Sequence, residues 1–215
     1  MIPLEPNKYK AREQLGLGTD DAVIAVLPGS RASEIQYIGE TFVKSIKLML
    51  EARPNLKIVL PAVPLLKHKI EAQLKAELSA MQLTQVIVLR GQSHFALAAC
   101  DASLVASGTA TLEAALFKRP MVIAYKMNAL SWLLMRKKRY QAWVGLPNIL
   151  CGDFVVPEFL QNEASPSALA ASVMAWLDDP VACAKVAHRF TDLHHELLRD
   201  TPRLAAHDIA KVLAA

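Results

Sequence analysis

The polar chemistry of this chain is concentrated in three short segments, each directly after an apolar run: Leu27-Pro28-Gly29-Ser30-Arg31, Arg90-Gly91-Gln92-Ser93 and Ala106-Ser107-Gly108-Thr109. Gly29, Ser30 and Arg31 together offer a close backbone approach, a hydroxyl, the N–H groups of a helix start and a guanidinium. Those are the groups that hold a phosphate oxyanion, and an arginine can grip two oxygens at once. Ser107, Gly108 and Thr109 repeat the arrangement two crossovers later, with two hydroxyl donors at another helix start. Either loop alone reads equally as an ordinary strand-to-helix turn, where Ser, Thr and Gly are common. Glu113 follows one turn into the second helix, on a segment otherwise made for burial. A carboxylate there needs partners, and the two hydroxyls of a ribose diol are a matching pair of donors. The alternative is a glutamate that faces solvent or pairs with Lys118 or Arg119 and favours the helix dipole.

These segments act as one site only if the fold gathers them. Apolar runs at 22–27, 56–60, 85–89, 102–105 and 121–125 read as strands, and amphipathic stretches at 33–52, 65–81, 93–99 and 110–117 as the helices between them. Pro54 ends the first of these helices and Ser93 is placed to cap the third. Such alternation predicts right-handed βαβ units and an α/β fold, a Rossmann-like parallel sheet covered by helices on both sides. In a parallel sheet all loops that follow strands lie along one edge, where open α/β sheets bind ligands. From Asn128 onward the pattern changes to helices, with one more short strand expected within 151–157. Ser165-Pro166 starts a helix, and Asp178-Asp179-Pro180 ends it and starts the next. Residues 1–20 read as a connector and entry segment with a loose start, extended at Ile2-Pro3-Leu4-Glu5-Pro6, 21–160 as the sheet domain and 161–215 as a helical tail packed on that domain or across a dimer.

Composition narrows the classes. Hydrophobic residues make up 53% of 215 and mean hydropathy is positive, which excludes disorder and suits a sheet buried on both faces. No apolar stretch reaches the roughly 20 residues of a membrane span, and no signal peptide opens the chain, so a cytoplasmic protein is expected. Cys100, Cys151 and Cys183 fit neither a disulfide framework nor a zinc site and read as buried thiols. His188, His194, His195 and His207 lie in a polar helical stretch without convincing ligand partners, so no metal is expected. His94, beside the Gly-Gln-Ser loop, is the histidine best placed to meet a ligand, with capping or packing as its commoner role. With 24 basic and 20 acidic residues the net charge is +4, and part of the excess is the run Arg136, Lys137, Lys138, Arg139 near Trp132 and Trp143. Such a run suits an anionic membrane surface or a phosphorylated ligand, and equally a solvated turn. No nucleic-acid module is present. The Gly-x-Gly-x-x-Gly and Walker patterns are absent, which argues against dinucleotide binding and P-loop hydrolysis, as does the missing Gly-x-Ser-x-Gly elbow against serine hydrolysis.

Leu-Pro-Gly-Ser-Arg-x-x-Glu at 27–34, Ala-Ser-Gly-Thr-Ala-Thr-Leu-Glu at 106–113 and Leu-Pro-Asn-Ile-Leu at 146–150 resemble the C-terminal half of the lipid-A-disaccharide synthases, over nearly the entire chain. The resemblance implies one half of an inverting GT-B glycosyltransferase, in which two Rossmann-like domains face each other and the C-terminal one holds UDP. The family joins UDP-2,3-diacylglucosamine to 2,3-diacylglucosamine 1-phosphate (lipid X), releasing UDP. Carried onto this chain, it implies Arg31 and the Ser107 to Thr109 loop on the diphosphate, Glu113 on the ribose, Gly91, Gln92 and Ser93 near the nucleobase, and Asn148 in donor binding and turnover. It implies no cofactor. The acceptor-binding domain with its acidic base has no counterpart here, so the chain is expected to be a piece of a longer protein that binds UDP without transferring sugar alone. The resemblance also implies a homodimer through residues after about 165 and peripheral attachment to the inner face of the inner membrane. The competing readings are a non-catalytic UDP-sugar-binding module and another UDP-GlcNAc-dependent GT-B enzyme, such as the peptidoglycan transferase or the 2-epimerase. The Leu146 to Leu150 block and the basic, tryptophan-flanked run favour lipid A.

Overall fold

The computed structural model describes residues 2–128, 132–133, 142–199 and 201–213; the basic run at 136–139 lies outside them. The strands are β1 (Val23–Leu27), β2 (Lys57–Ala62), β3 (Val86–Arg90), β4 (Ala102–Ala106), β5 (Met121–Tyr125) and β6 (Glu158–Leu160). Among the described residues they form one parallel sheet in the order β3-β2-β1-β4-β5-β6. β6 lies just past the segment expected to carry it, and the other five fall within two residues of the apolar runs. Period-two alternation divides the central strand between two cores. Ile24 and Val26 join one, Val23, Ala25 and Leu27 the other, and all five are buried. Pro61 sits within β2, where a missing N–H would normally break a ladder. The β1 to β2 register ends at Ala25 opposite Val59, so Pro61 lies beyond the stretch paired with β1, while on the other side it stands opposite Leu89 of β3.

Helices cover both faces. α2 (Ala32–Ala52) and α3 (Lys67–Glu77) supply the first core through Ile35, Phe42, Ile46, Met49, Ile70 and Leu74. α5 (Ser93–Ala99) and α6 (Thr109–Leu116) supply the second with Leu97, Ala114 and Ala115. The short α7 (Leu146–Cys151) precedes β6, and α8 (Pro166–Asp178) packs on α2, its Trp176 Nε1 donating to Met121 O at 3.2 Å. α9 (Pro180–Leu197) buries Val186, Phe190 and Leu193 in the second core. Ser165 and Asp179 cap α8 and α9 by accepting from Ala168 N and Ala182 N, as the Ser-Pro and Asp-Pro pairs predict. α10 (Thr201–Leu213) completes the described elements. No helix among the described residues is long and apolar enough to cross a membrane.

Three expectations are corrected. The helix expected over 65–81 is two, α3 and α4 (Ala80–Leu83). Ser79 Oγ accepts from Gln82 N while Gln82 Oε1 accepts from Ser79 N, a capping box that starts a new helix rather than continuing the old one. Of the cysteines only Cys100 is buried, and burial pushes its pKa up to about 11; Cys151 and Cys183 are half-buried. The loose start carries an element of its own, because after the connector at 2–6 Lys8–Gln14 forms a helix, α1, capped by Asn7. Its Arg12 is 3% exposed and spends its donors on Asp101 (2.9 and 3.1 Å), Ala99 O, Gly18 O and Thr19 O. Asp101 in turn accepts from Val23 N at 2.8 Å and pairs with Lys8, which fastens α1 to the strand starts. A buried arginine is tolerable only when every donor is used in this way. Arg12→Ala would strand those acceptors and should lower the unfolding free energy by about 3 kcal/mol in urea titrations.

Candidate functional site

β1 and β4 lie side by side, while β2 extends the sheet in one direction and β5 in the other. The strand order therefore reverses between them, and crossover helices leave on opposite faces, opening a crevice at the strand ends. A cleft of about 480 Å³ lies there. Gly29, Ser30, Arg31, Gly91, Gln92, Ser93, Ser107, Gly108, Thr109 and Glu113 all line it. The structure thus brings together every residue singled out in the three loops, and Glu113 one turn into α6.

The two helix starts at this cleft differ. At α2, Glu34 folds back so that its Oε2 accepts from Ser30 N (2.7 Å) and Arg31 N (3.2 Å), and its Oε1 lies 3.3 Å from Arg31 Nη1. The amides that sequence reasoning offers to a phosphate are therefore satisfied by a protein carboxylate. Glu34 is the residue that reasoning passed over, although its place three residues after the N-cap is the signal of a reach-back glutamate. This loop still presents the Arg31 guanidinium, whose side chain is 80% exposed. Gly29 permits the arrangement: its φ is +109°, and a Cβ there would collide with Glu34 Oε2 and lie 2.8 Å from Glu34 Cβ. At α6 the N-cap is Gly108 and no side chain caps it. The first-turn N–H groups and the positive end of the helix dipole at Gly108, Thr109 and Ala110 are left for an anion. Ser107 Oγ donates to Val144 O at 3.3 Å, so its hydroxyl proton is directed at the protein.

Ser93 is not the cap of α5. That position belongs to Gln92, held left-handed at φ +63°, and Ser93 Oγ instead donates to Glu113 Oε2 at 3.2 Å. His94 Nε2 lies 3.5 Å from the same oxygen. Glu113 is one-third exposed and paired to neither Lys118 nor Arg119. Further along the same sheet edge, Lys126 donates to Thr41 Oγ1 at 2.8 Å; burial holds its pKa below the usual lysine range, with Glu40 acting in the opposite sense.

Asn148 is apart from the cleft. It is fully buried, with Oδ1 accepting from Val155 N and Val156 N and Nδ2 donating to Val156 O and Glu158 Oε1. Glu158 also accepts from Val144 N and Gly145 N, both at 2.9 Å. Asn148 therefore reaches the site through the turn whose Val144 carbonyl receives Ser107. Gly145 is required by close approach, since a Cβ would strike Ile123 Cδ1 and lie 2.8 Å from Glu158 Oε1. The spacing of the sequence gives no sign of this pairing, because Glu158 is ten residues away on a different element.

Gly29→Ala should displace Glu34 and lower stability by about 1–3 kcal/mol, read as a fall in Tm. Asn148→Ala removes a partner from Glu158 Oε1, Val155 N, Val156 N and Val156 O in a buried setting; a loss of about 2–4 kcal/mol in urea unfolding is expected.

Comparison with known proteins bears on this site. The family model for lipid-A-disaccharide synthetase matches residues 1–212. The lipid-A-disaccharide synthase of Verminephrobacter eiseniae is 53% identical over all of this chain, which covers 55% of that protein. The chain spans about half the length of the curated relatives it matches. Among solved structures, the C-terminal domain of a glycosyl transferase group 1 family protein from Francisella tularensis is 13% identical with a TM-score of 0.59, over 92% of this chain and 96% of that one. The S. aureus MnaA co-structure with UDP is 13% identical with a TM-score of 0.53, over 86% of this chain and 43% of that one. These two likenesses establish the fold, one Rossmann-like half of the GT-B type. The match over almost every residue shows that the chain belongs to the lipid-A-disaccharide synthase family.

Proposed function

We propose that this chain is the donor-binding half of an inverting hexosyltransferase of lipid A biosynthesis, and that its cleft holds the UDP of UDP-2,3-diacylglucosamine for transfer to 2,3-diacylglucosamine 1-phosphate. One observation carries the reading: an exposed arginine, an uncapped helix start and a carboxylate with hydroxyl-accepting capacity converge in one cleft at the switch point. When the sugar departs, negative charge gathers on the diphosphate. The α6 amides are fixed donors that need no reorganisation as that charge develops, and the exposed Arg31 guanidinium adds a positive charge beside them. Glu113 accepts the ribose hydroxyls, and Gly91 and Gln92 wall the base end. MnaA, a protein of like fold, is solved with UDP, which supports a nucleotide of this class in such a cleft. Ser107 and Asn148 serve donor binding through the Val144 turn. Both sugars are acylated in this reading, so the whole protein would work at a membrane surface, on the inner face of the inner membrane. A homodimer through the region after about residue 165 belongs to the same proposal.

Calorimetric titration with UDP, ADP and UDP-GlcNAc tests the donor site without needing the acceptor. UDP should bind and ADP should not match it, and Glu113→Ala should weaken UDP by about tenfold or more, the range of a lost hydrogen bond to a charged group. A folded protein that binds none of the three nucleotides, or ADP as well as UDP, would overturn the reading.

A further inference from the structure

Glu113 is gripped from a neighbouring loop at one oxygen only. Ser93 Oγ donates to Oε2 at 3.2 Å and His94 Nε2 lies 3.5 Å from that same Oε2. Among the described residues no hydrogen bond reaches Oε1. The histidine is itself held. Its ring stands against Phe117 with centroids 5.3 Å apart and planes tilted by 57°, and Phe117 is buried in the second core. Ser93 and His94 are the first two residues of α5, so the short turn after β3 delivers both to the carboxylate on α6. A glutamate side chain has three rotatable bonds, and a one-third exposed one would otherwise sample several rotamers between which a ligand must choose.

We propose that His94 is a positioning residue for nucleotide binding: with Ser93 it pins Glu113 by Oε2 and turns Oε1 toward the ribose hydroxyls of a nucleoside diphosphate in the cleft. This rests on the donor-site reading above. His94 acts through Glu113, not on the ligand, and an N–H at Nε2 is the donor this requires. Holding the carboxylate before the ligand arrives removes the ordering cost of one side chain at binding, which corresponds to about a three- to tenfold gain in affinity. The gain applies only to ligands that carry the hydroxyls.

The test titrates the chain and its His94→Ala, His94→Gln, Glu113→Ala and doubly substituted His94→Ala/Glu113→Ala variants with UDP and with 2′,3′-dideoxy-UDP. His94→Ala should weaken UDP by about three- to tenfold while leaving 2′,3′-dideoxy-UDP within about twofold. His94→Gln, which keeps a donor on that side of Glu113, should recover most of the loss, and His94→Ala should add nothing once Glu113 is alanine. Unchanged UDP affinity in His94→Ala, equal weakening of both nucleotides, or a full additional loss in the double variant would each overturn the positioning role while leaving the donor site intact. Failure of the unsubstituted chain to bind UDP would overturn both. Binding of the dideoxy nucleotide also reports that each variant retains its fold.

Discussion

The parallel pairing of β1 with β4, Ile24 opposite Ala102 through Leu27 opposite Val105, is the constraint on which the rest depends. The two strands are distant in sequence, and both are buried along their whole length. Their adjacency places the turn at Gly29 to Arg31 beside the turn at Ser107 to Thr109. Because every strand runs the same way, the turn after β3 opens on the same edge. A strand inserted between β1 and β4, or one run in reverse, would leave the same residues on separate surfaces. The apolar character of both faces thus serves function directly: burial against helices on both sides holds the strand order, and the strand order makes the cleft.

Within the cleft the distribution of charge matters more than its amount. Two carboxylates line it, and the fold handles them differently. Glu34 is absorbed by two backbone amides and Arg31, so it adds order and little field. Glu113 meets one hydroxyl and one imidazole at a single oxygen, and among the described residues no hydrogen bond reaches the other. The uncapped start of α6 then supplies positive potential between them. The result is a cleft with positive potential at one place and carboxylate acceptor capacity at another, the pattern on which the nucleoside diphosphate proposal rests.

Buried polar networks support this arrangement from behind. Arg12 and Asp101 tie α1 to the strand starts on the edge opposite the cleft. Asn148 and Glu158 tie the Val144 turn to β6 on the near side. Both networks satisfy nearly all of the donors and acceptors they bury, and such networks rigidify a fold instead of weakening it. The Asn148 pair is joined to the cleft without lining it, through the Val144 turn that receives Ser107.

By itself the sequence determined the α/β class, five of the six strands to within two residues, the caps at Ser165 and Asp179, and the loops that would line the site. All of these follow from local information: hydrophobic period, cap chemistry and the position of glycine relative to an apolar run. Tertiary structure alone decided how the polar side chains are spent. Ser93 turns from a cap into a partner of Glu113, Glu34 takes the amides beside Arg31, Arg12 is buried in a segment that reads as a connector, and Asn148 finds Glu158 across two elements. The physical reason is that a polar group takes its strongest available partner, and which partners are available depends on strand order and helix packing, not on neighbours along the chain.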